Sequence, residues 1–323
     1  MIVTVTLNAA LDRTLSVPNF RLGRRHRAVD STTMAGGKGV NVARALKTLG
    51  QPVIATGVAG GHTGTRIIEQ LTGEAILNDF VRIQGESRTS TAVVDPTSGA
   101  QTEINERGPS VAEPEFALFK DKLLYLAKGA GLVVFCGSLP AGVQVDAYAG
   151  LIKDLNALGV TTVLDSEGEP LRLATRAEPD VITPNELEAE ELVGHEFADE
   201  EDLPAAVAEM VEMGAREAIV TRANGCVASV SDAGDRRLCR VTLDPSNVDM
   251  SSGVGSGDAF LAGYVASRYL GRPPEDCLRF AVACGAESVQ HFGAGVIDPR
   301  EVERLRAAVE LEVLPEPALQ AGS

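Results

Sequence analysis

The chain has 323 residues, of which 44% are hydrophobic and 23% charged, and its formal net charge is −16. This composition is typical of a globular protein that buries a sizeable core, in one large or two modest domains. The negative charge argues against a nucleic-acid-binding protein, because phosphate backbones attract a basic surface.

The first fifty residues differ in charge from the rest. They contain eight Arg and Lys residues against two Asp, whereas residues 51–323 contain 21 basic and 43 acidic residues. The run Arg24-Arg-His-Arg27 either forms a solvated loop or belongs to a positive region reserved for a small anionic ligand. Charge alone leaves both interpretations open.

Three features predict a cytoplasmic protein with no membrane partner. No apolar run approaches the ~18–20 residues that a membrane-spanning helix needs. The first residues lack the charged and then apolar order of a secretory signal. The five cysteines form no C-x-x-C pair, and this pattern favours reduced, buried thiols over disulfides or structural zinc.

The first third of the chain predicts two strand–helix units and a small sheet. Strands at residues 2–7 and 53–58 each lead through a glycine loop into a helix, at residues 40–49 and 65–71. Residues 80–107 instead contain three short alternating strands with no helix between them. We therefore expect a small antiparallel β lid from about residues 12–33 and 80–107.

From residue 130 onward, strands and helices alternate. Strands are predicted at residues 131–135, 161–164, 180–183 and 217–221, and helices at 144–158, 186–193 and 205–213. This order predicts a parallel sheet with helices on both faces. The turn at Asn224-Gly225 predicts an antiparallel edge over residues 217–242. Helices at 258–270, 277–290 and 300–311 follow, and residues 313–323 are expected to form a disordered tail.

The segment Gly253-Val-Gly-Ser-Gly-Asp258 carries the strongest chemical signal. Its glycines let the backbone approach a ligand closely, and the amides of residues 255–257 begin a helix whose N-terminus favours negative charge. Asp258 can then act as base for a hydroxyl that attacks a phosphoryl group. The helix N-terminus should favour the ionised carboxylate and make it a weak base. Alternatively, Ser256 or Asp258 simply caps the helix.

Two common nucleotide-binding motifs are excluded. The Rossmann motif G-x-G-x-x-G requires glycine where this chain has Asp258, and its acidic partner should end a strand. Here the downstream acids, Glu275 and Asp276, instead follow two prolines at a helix start. The Walker A pattern does not occur in the sequence. Any nucleotide must therefore be held in another way.

A second glycine-rich segment, Gly36-Gly-Lys-Gly-Val-Asn41, precedes the first predicted helix. Its glycines permit close approach of a ligand, and the Asn41 amide offers both a donor and an acceptor to sugar hydroxyls. The alternative is a tight strand–helix turn with Asn41 near the helix cap.

Together, Ala35-Gly-Gly-Lys-Gly-Val-Asn-Val-Ala-Arg44 and Gly253-Val-Gly-Ser-Gly-Asp-Ala-Phe260 resemble the paired signatures of the ribokinase-like PfkB carbohydrate kinases. Five further motifs occur in family order: Thr6-Leu-Asn-Ala-Ala-Leu-Asp12, Thr102-Glu-Ile-Asn105, Gly137-Ser-Leu-Pro140, Asp165-Ser166 and Pro184-Asn-Glu-Leu-Glu188. They narrow the resemblance to the branch with 1-phosphofructokinase, tagatose-6-phosphate kinase and the minor 6-phosphofructokinase. The resemblance covers residues 1 to about 300.

The resemblance implies an α/β three-layer sandwich with a mostly parallel central sheet and a β lid. It also implies roles for individual residues. Asp258 matches the catalytic base, and Gly255, Ser256 and Gly257 match the anion hole. The residues matched to sugar-hydroxyl contacts are Asp12, Gly37 and Asn41, and Gly36 belongs to the same glycine-rich substrate-binding loop. Those matched to the substrate's phosphate are Lys38, Arg88 and Ser138.

On the nucleotide side, Asn185 and Glu188 match the N-x-x-E motif that positions Mg²⁺ and the ATP phosphates. Thr221 and Gly225 fall where the family lines its ATP site, and Gly253 lies in the loop before the anion hole. Asp165, at the carboxyl end of a predicted strand, is a second candidate acid near the metal. One or two carboxylates suffice, because Mg²⁺ keeps several waters.

Four positions depart from the family pattern. Thr183 replaces the usual Lys before Pro-Asn and removes a cation from the ATP phosphate region. Ala223 replaces a glycine near the nucleotide, and Gly253 stands where Thr or Pro is frequent. Arg107 replaces a common proline and is expected to add positive charge beside the sugar phosphate.

The sequence thus predicts a kinase that transfers the γ-phosphoryl group of ATP to a ketohexose monophosphate, with Mg²⁺, and a homodimer through the lid by analogy. The positive first segment and Arg88 favour a phosphorylated sugar. Two alternatives remain open: a kinase of an unphosphorylated sugar or nucleoside, and a catalytically silent sugar- or nucleotide-binding regulator.

Overall fold

The computed structural model describes residues 1–232, 234–248, 254–291 and 293–315. The strands in this part of the chain are β1 (Ile2–Thr6), β2 (Ala10–Ser16), β3 (Asp30–Gly36), β4 (Val53–Gly60), β5 (Leu77–Ile83), β6 (Arg88–Val94), β7 (Gln101–Asn105), β8 (Leu132–Cys136), β9 (Thr161–Asp165), β10 (Val181–Ile182), β11 (Glu217–Arg222), β12 (Gly225–Asp232), β13 (Asp235–Thr242) and β14 (Glu310–Leu314). The α-helices are α1 (Lys38–Thr48), α2 (Gly61–Gly73), α3 (Glu113–Ala127), α4 (Ala147–Ala157), α5 (Gly168–Thr175), α6 (Glu186–Val193), α7 (Asp202–Glu212), α8 (Ser256–Tyr269), α9 (Pro274–Ser288) and α10 (Pro299–Arg306).

In the part of the chain that the structure describes, the large sheet has ten strands in the order β14-β13-β12-β11-β10-β9-β8-β1-β4-β5. Pairing is parallel from β11 to β5 and antiparallel from β11 to β14. The predicted α/β class, the mostly parallel sheet and its antiparallel edge are confirmed. The carboxyl ends of the parallel strands meet at one edge, where open α/β sheets bind ligands.

The two faces of this sheet are covered by separate hydrophobic clusters. Alternate residues of β8 belong to different clusters: Leu132 and Val134 pack with α1, α8 and α9, whereas Val133 and Phe135 pack with α3 and α4. Because side chains alternate across a strand, a strand buried on both faces needs a continuous apolar run. This explains why residues 131–135 are uninterrupted by polar side chains.

The small sheet, which we call the lid, has the order β3-β2-β6-β7. The pairs β2–β3 and β6–β7 are antiparallel, whereas the central pair β2–β6 is parallel. The prediction that the lid includes residues 80–83 is wrong: these residues lie in β5, which pairs with β4 at the edge of the large sheet. Phe80, Val81 and Ile83 are buried there, so their apolar character reflects the main core.

The C-terminal elements also differ from the prediction. The helix expected over residues 300–311 ends at Arg306, and β14 then pairs antiparallel with β13. The alternating Glu-Leu-Glu-Val-Leu sequence suits a strand, and the edge of β13 offers backbone groups for pairing. Residues 313 and 314 therefore belong to the sheet instead of a tail, and residues 316–323 lie outside the described part. Helices α3 and α5 were not predicted.

The five cysteines are buried and unpaired, as the sequence predicts. Within the described ranges, no helix is long and apolar enough to cross a bilayer. The cytoplasmic location stays a prediction.

The far end of α8 is fixed to the sheet by one buried carboxylate. Glu217, at the start of β11, is only 3% exposed. It accepts a hydrogen bond from the Tyr264 hydroxyl at 2.5 Å and one from Arg268 Nη2 at 3.2 Å. These contacts hold α8 in place, and the N-terminus of α8 carries Asp258.

Replacement of Tyr264 by Phe should therefore destabilise the fold. The substitution leaves a buried carboxylate oxygen without its closest donor, and we expect the free energy of unfolding to fall by about 1–3 kcal/mol. Urea denaturation measures this change. Tyr125, which is 73% exposed on α3, gives the matched control, and Tyr125→Phe should change stability by less than about 0.5 kcal/mol. Equal effects of the two substitutions would contradict the anchoring role of Glu217.

Candidate active site

A cleft of about 830 Å³ lies at the carboxyl edge of the parallel strands, between the large sheet and the lid. Both glycine-rich segments open into it. The predicted site residues that line it are Asp12, Gly37, Lys38, Asn41, Arg88, Ser138, Asp165, Asn185, Glu188, Thr221, Gly225, Gly255, Ser256, Gly257 and Asp258. Residues far apart in the sequence thus share one cavity, as expected for a ligand site.

Three predicted residues stand apart from this group. Gly36 packs behind Asp12, since a Cβ there would lie 1.9 Å from Asp12 Oδ2. Arg107 is exposed, and its carbonyl, not its side chain, faces inward to accept a hydrogen bond from Asn8 Nδ2 at 3.2 Å. The structure therefore does not bring the Arg107 guanidinium into the cleft. Gly253 lies outside the described residues.

Asp258 lies in the first turn of α8 and is 7% exposed. Its Oδ2 accepts a hydrogen bond from Asn41 Nδ2 at 2.8 Å. Burial raises the pKa of Asp258 to about 7, although Lys38 and the Asn41 hydrogen bond act in the opposite direction. The expectation that the ionised form is favoured at the helix N-terminus is wrong, because desolvation is the largest influence on this pKa. The carboxylate is consequently a stronger base than the sequence indicates.

The amides before Asp258 are arranged around a left-handed glycine. Gly255 is the N-cap of α8 with φ of 77°, and a Cβ there would lie 2.5 Å from the Ala294 Cβ. No side chain among the described residues caps this helix end. Ser256 and Asp258 therefore do not serve as ordinary caps. The amides of the first turn have no acceptor within the helix and can bind an anion.

Lys38 lies against the acids that were predicted to bind metal. Its Nζ is 2.9 Å from Asp165 Oδ1 and 3.6 Å from Glu188 Oε1. Burial lowers the pKa of Lys38, but the carboxylates of Asp165, Glu188 and Asp258 together outweigh burial and raise it. Lys38 is therefore a fixed positive charge among three carboxyl groups.

Asn185 and Glu188, three residues apart, form a capping box at the start of α6. Asn185 Oδ1 accepts from the Glu188 amide at 3.0 Å, and Glu188 Oε2 accepts from the Asn185 amide at 2.9 Å. Burial raises the pKa of Glu188. One Glu188 oxygen thus orients the helix start, while the other faces Lys38.

Arg88 joins the lid to the floor of the cleft. Its Nε donates to the Asn8 carbonyl at 3.1 Å, and its Nη1 donates to the Glu106 carbonyl at 3.2 Å. The Asn8 side chain in turn donates to Ser138 Oγ at 3.2 Å. Asn8 thus connects Arg88 and Ser138, two of the three residues matched to the substrate's phosphate. The sequence assigned Asn8 no role, although it lies within Thr6-Leu-Asn-Ala-Ala-Leu-Asp12.

The cleft also has an apolar wall that the sequence did not reveal. Thr221 and Gly225 lie in the β11–β12 hairpin beside Thr183 and Ala223. The apolar wall of the same cleft is formed by Leu243, Val248, Val254, Val282 and Val289. Val282 and Val289 belong to α9 and its C-cap, and the other three lie in residues 243–254. Because these two segments are distant in the sequence, no single local pattern could identify the wall. Such a wall suits a flat heterocyclic ring.

The basic run near residue 24 does not belong to the cleft. Arg24, Arg25 and Arg27 are exposed and do not line the cavity. This favours the solvated-loop interpretation. The basic residues from the first fifty that do line the cavity are Arg13, Lys38 and Arg44.

Comparison with known proteins agrees with this architecture. The chain is 31% identical over 312 residues to a 1-phosphofructokinase of Borreliella burgdorferi, a match that covers 97% of this chain and 98% of the relative. It is 32% identical over 315 residues to a tagatose-6-phosphate kinase of Staphylococcus epidermidis, covering 96% and 99%. The structure of Escherichia coli phosphofructokinase-2 with substrates and products superposes with a TM-score of 0.87 at 28% identity, covering 95% and 98%.

Residues 5–300 match the family described as pfkB family carbohydrate kinase. The match contains both glycine-rich segments, the lid and the residues around Asp258. The resemblance that the motifs indicated is thereby confirmed. The chain belongs to the pfkB family of carbohydrate kinases and is an ATP-dependent sugar kinase.

Proposed function

We propose that this kinase transfers the γ-phosphoryl group of ATP to a primary hydroxyl of a ketohexose monophosphate. One observation carries the proposal. The buried Asp258 carboxyl, next to the amides that begin α8, shares a single cleft with Arg88 of the lid and with Ser138, which follows β8. The relatives named 1-phosphofructokinase and tagatose-6-phosphate kinase support a phosphorylated sugar as acceptor.

In this proposal Asp258 takes the proton of the acceptor hydroxyl. The amides of Gly255, Ser256 and Gly257 donate to the transferred phosphoryl group, where preorganised donors contribute most. The Lys38 ammonium, held by Asp165, adds positive charge next to the same point. Closure of the lid would exclude water and so limit the hydrolysis of ATP.

The acceptor's own phosphate would lie at Arg88 and Ser138. Lys38, which the resemblance matched to the same phosphate, contacts Asp165 and Glu188, and we assign it to the transferred phosphoryl group. A guanidinium binds phosphate through directed, charge-assisted hydrogen bonds. Burial lowers the pKa of Arg88 from its usual value, but an arginine remains protonated under all ordinary conditions. Asp12 would bind sugar hydroxyls, since it lines the cleft and Gly36 leaves room for its carboxyl.

The nucleotide would occupy the end of the cleft formed by Asn185, Thr221 and Gly225, with its base on the apolar wall. Glu188 and Asp165 are the carboxylates that would face Mg²⁺. Because one oxygen of each already contacts the Lys38 ammonium, the ion would be held mainly by phosphates and water, which suits Mg²⁺. Bound Mg²⁺ would neutralise the charge that develops on the phosphates.

The lids of two chains would pair to form a homodimer. Ile104, on the lid edge strand β7, is 62% exposed, which is the kind of apolar surface that an interface covers. Sedimentation of the purified protein measures its oligomeric state.

A panel of acceptors tests the substrate class. We expect ADP release to depend on fructose 1-phosphate, fructose 6-phosphate or tagatose 6-phosphate, with kcat/KM at least about 100-fold above that for fructose, because a charged group left without its partner costs a few kcal/mol. A coupled ADP assay measures all four. Preference for plain fructose would overturn the proposal, and no sugar-dependent ADP release would favour a silent regulator.

The role of Asp258 predicts a pH dependence of wild-type activity. A base must be ionised, and the pKa of Asp258 is raised to about 7. The value of kcat/KM should therefore rise with pH through about 7 and reach a plateau above it.

Asp258→Asn should retain ligand binding and lower kcat by about 10²–10⁴, because the base is lost.

Steady-state kinetics and ligand titration of Asp258→Asn provide the measurements. Asp146→Asn, an exposed residue before α4, serves as a control and should behave as wild type. Near-normal turnover of Asp258→Asn would remove Asp258 from the mechanism.

Replacement of Arg88 by Ala should chiefly weaken binding of the sugar phosphate. Loss of a charge-assisted hydrogen bond corresponds to about a 10- to 100-fold increase in KM for the acceptor, with a smaller change in kcat. Arg82→Ala, on the exposed side of β5, is the matched control and should leave KM unchanged. If KM of Arg88→Ala equals that of wild type, the acceptor's phosphate does not bind at Arg88.

A further inference from the structure

Arg44 is a buried cation that connects four parts of the active site. Its side chain is 8% exposed and lies on α1, one helical turn after Asn41. Nε and Nη2 bind the two oxygens of Glu74 at 2.6 and 3.1 Å. Nη2 also donates to the Ala35 carbonyl at 2.7 Å. The guanidinium therefore links α1, the end of α2 and the lid strand β3.

The remaining donor, Nη1, points toward the reaction centre. It donates to Asn41 Oδ1 at 3.3 Å and to the Ala294 carbonyl at 3.2 Å. Because Arg44 carries only donors, it can bind the oxygen of the Asn41 amide and not the nitrogen. The amide is thereby oriented with Nδ2 toward Asp258, to which it donates at 2.8 Å.

The contact with Ala294 reaches the anion hole by a second route. Ala294 packs against Gly255, where a Cβ would lie 2.5 Å from the Ala294 Cβ. The next residue, Gly295, has φ of 75°, and a Cβ there would lie 2.4 Å from the Asn41 carbonyl oxygen. The backbone of residues 294–295 is therefore packed between Asn41 and Gly255, and the Ala294 carbonyl accepts a hydrogen bond from Arg44.

We propose that Arg44 is a positioning residue that sets the orientation of the Asn41 amide and the position of residues 294–295, and thereby aligns the Asp258 carboxyl with the amides of the anion hole. The inference rests on the proposed function, since it takes Asp258 as the base. Arg44 itself needs no contact with either substrate. Its bidentate pairing with Glu74 prevents the guanidinium from turning away from Asn41.

Loss of Arg44 should change the pH dependence of the enzyme. The hydrogen bond from Asn41 lowers the pKa of Asp258, so its loss should raise that pKa further. The other charged groups that face Asp258 are Lys38 on α1, Asp165 at the end of β9 and Asp12 on β2. Arg44 also lowers the pKa of Asp12 through its charge, which Arg44→Lys keeps and Arg44→Gln removes. A change in the acid limb that Arg44→Lys shares with Arg44→Gln would thus report on the Asn41–Asp258 contact.

The experiment compares Arg44→Gln, Arg44→Lys and wild type by the pH dependence of kcat and kcat/KM. We expect kcat to fall by about 10- to 100-fold, because displacement of a reacting group is costly. The acid limb should move upward by about half to one pH unit, the equivalent of one hydrogen bond. KM values should change less than kcat. Arg44→Lys keeps the charge but cannot bind Glu74 and Asn41 together, so it should not restore the profile.

A double-variant cycle isolates the route through Asn41. In an Asn41→Ala background, Arg44→Gln should move the acid limb no further, because the group through which Arg44 acts on Asp258 is absent. Independent, additive shifts would overturn the proposal. So would an Arg44→Lys enzyme with a wild-type profile.

A merely structural role is tested with a second Arg–Glu pair. Arg268 binds the buried Glu217 far along α8 at 3.2 Å. Arg268→Gln should lower the melting temperature and leave the pH profile unchanged, whereas Arg44→Gln should change both. Identical behaviour of the two variants would overturn the proposal. If Arg44→Gln does not fold, Arg44→Lys and the Asn41→Ala cycle with Arg44→Lys provide the same comparison.

Failure of this inference can be distinguished from failure of the proposed function. If Asp258→Asn keeps normal turnover, Asp258 is not the base and the proposed mechanism fails. If Asp258→Asn is inactive while the Arg44 variants keep the wild-type pH profile, only the role of Arg44 is wrong.

Discussion

The burial of the Asp258 carboxyl at the start of α8 is the constraint on which the site depends. A carboxylate in this position lacks most of the water that would stabilise its charge, and its pKa rises accordingly. The surrounding groups compensate only in part: Asn41 donates one hydrogen bond, and Lys38 supplies a positive charge shared with Asp165. Chemistry that needs a base near neutral pH follows from this partial compensation.

The same constraint explains why the cleft contains so many fixed charges in contact. Lys38 is held between Asp165 and Glu188, and Glu188 is held in turn by the capping box of α6. Each group is oriented by a neighbour whose own position is fixed by backbone structure. A site arranged in this way needs little reorganisation when charge moves through it. The far end of α8, bound at Glu217, keeps this arrangement attached to the sheet.

The sequence predicts the fold and most of the site because both depend on local signals. Residues 36–41 and 254–258 read as glycine loops that begin helices, and the alternation after residue 130 predicts the parallel sheet. Three features depend on contacts between distant segments and could not be predicted. The pKa of Asp258 is governed by burial, the edge position of β5 by its pairing with β4, and the inward turn of the Asn8 side chain by Ser138. The Arg107 guanidinium does not enter the cleft, for a related reason. The charge of a loop residue does not determine the direction of its side chain.

The parallel pair at the centre of the lid affects how the protein folds. The two hairpins of the lid, β2–β3 and β6–β7, meet only through β2 and β6, whose paired residues Ala10 and Arg88 are separated by a full stretch of chain containing α1, β4, α2 and β5. Joining such distant segments costs loop-closure entropy that local hairpins avoid. The lid should consequently assemble after the first strands of the large sheet, and the native cover over the cleft should be a late product of folding.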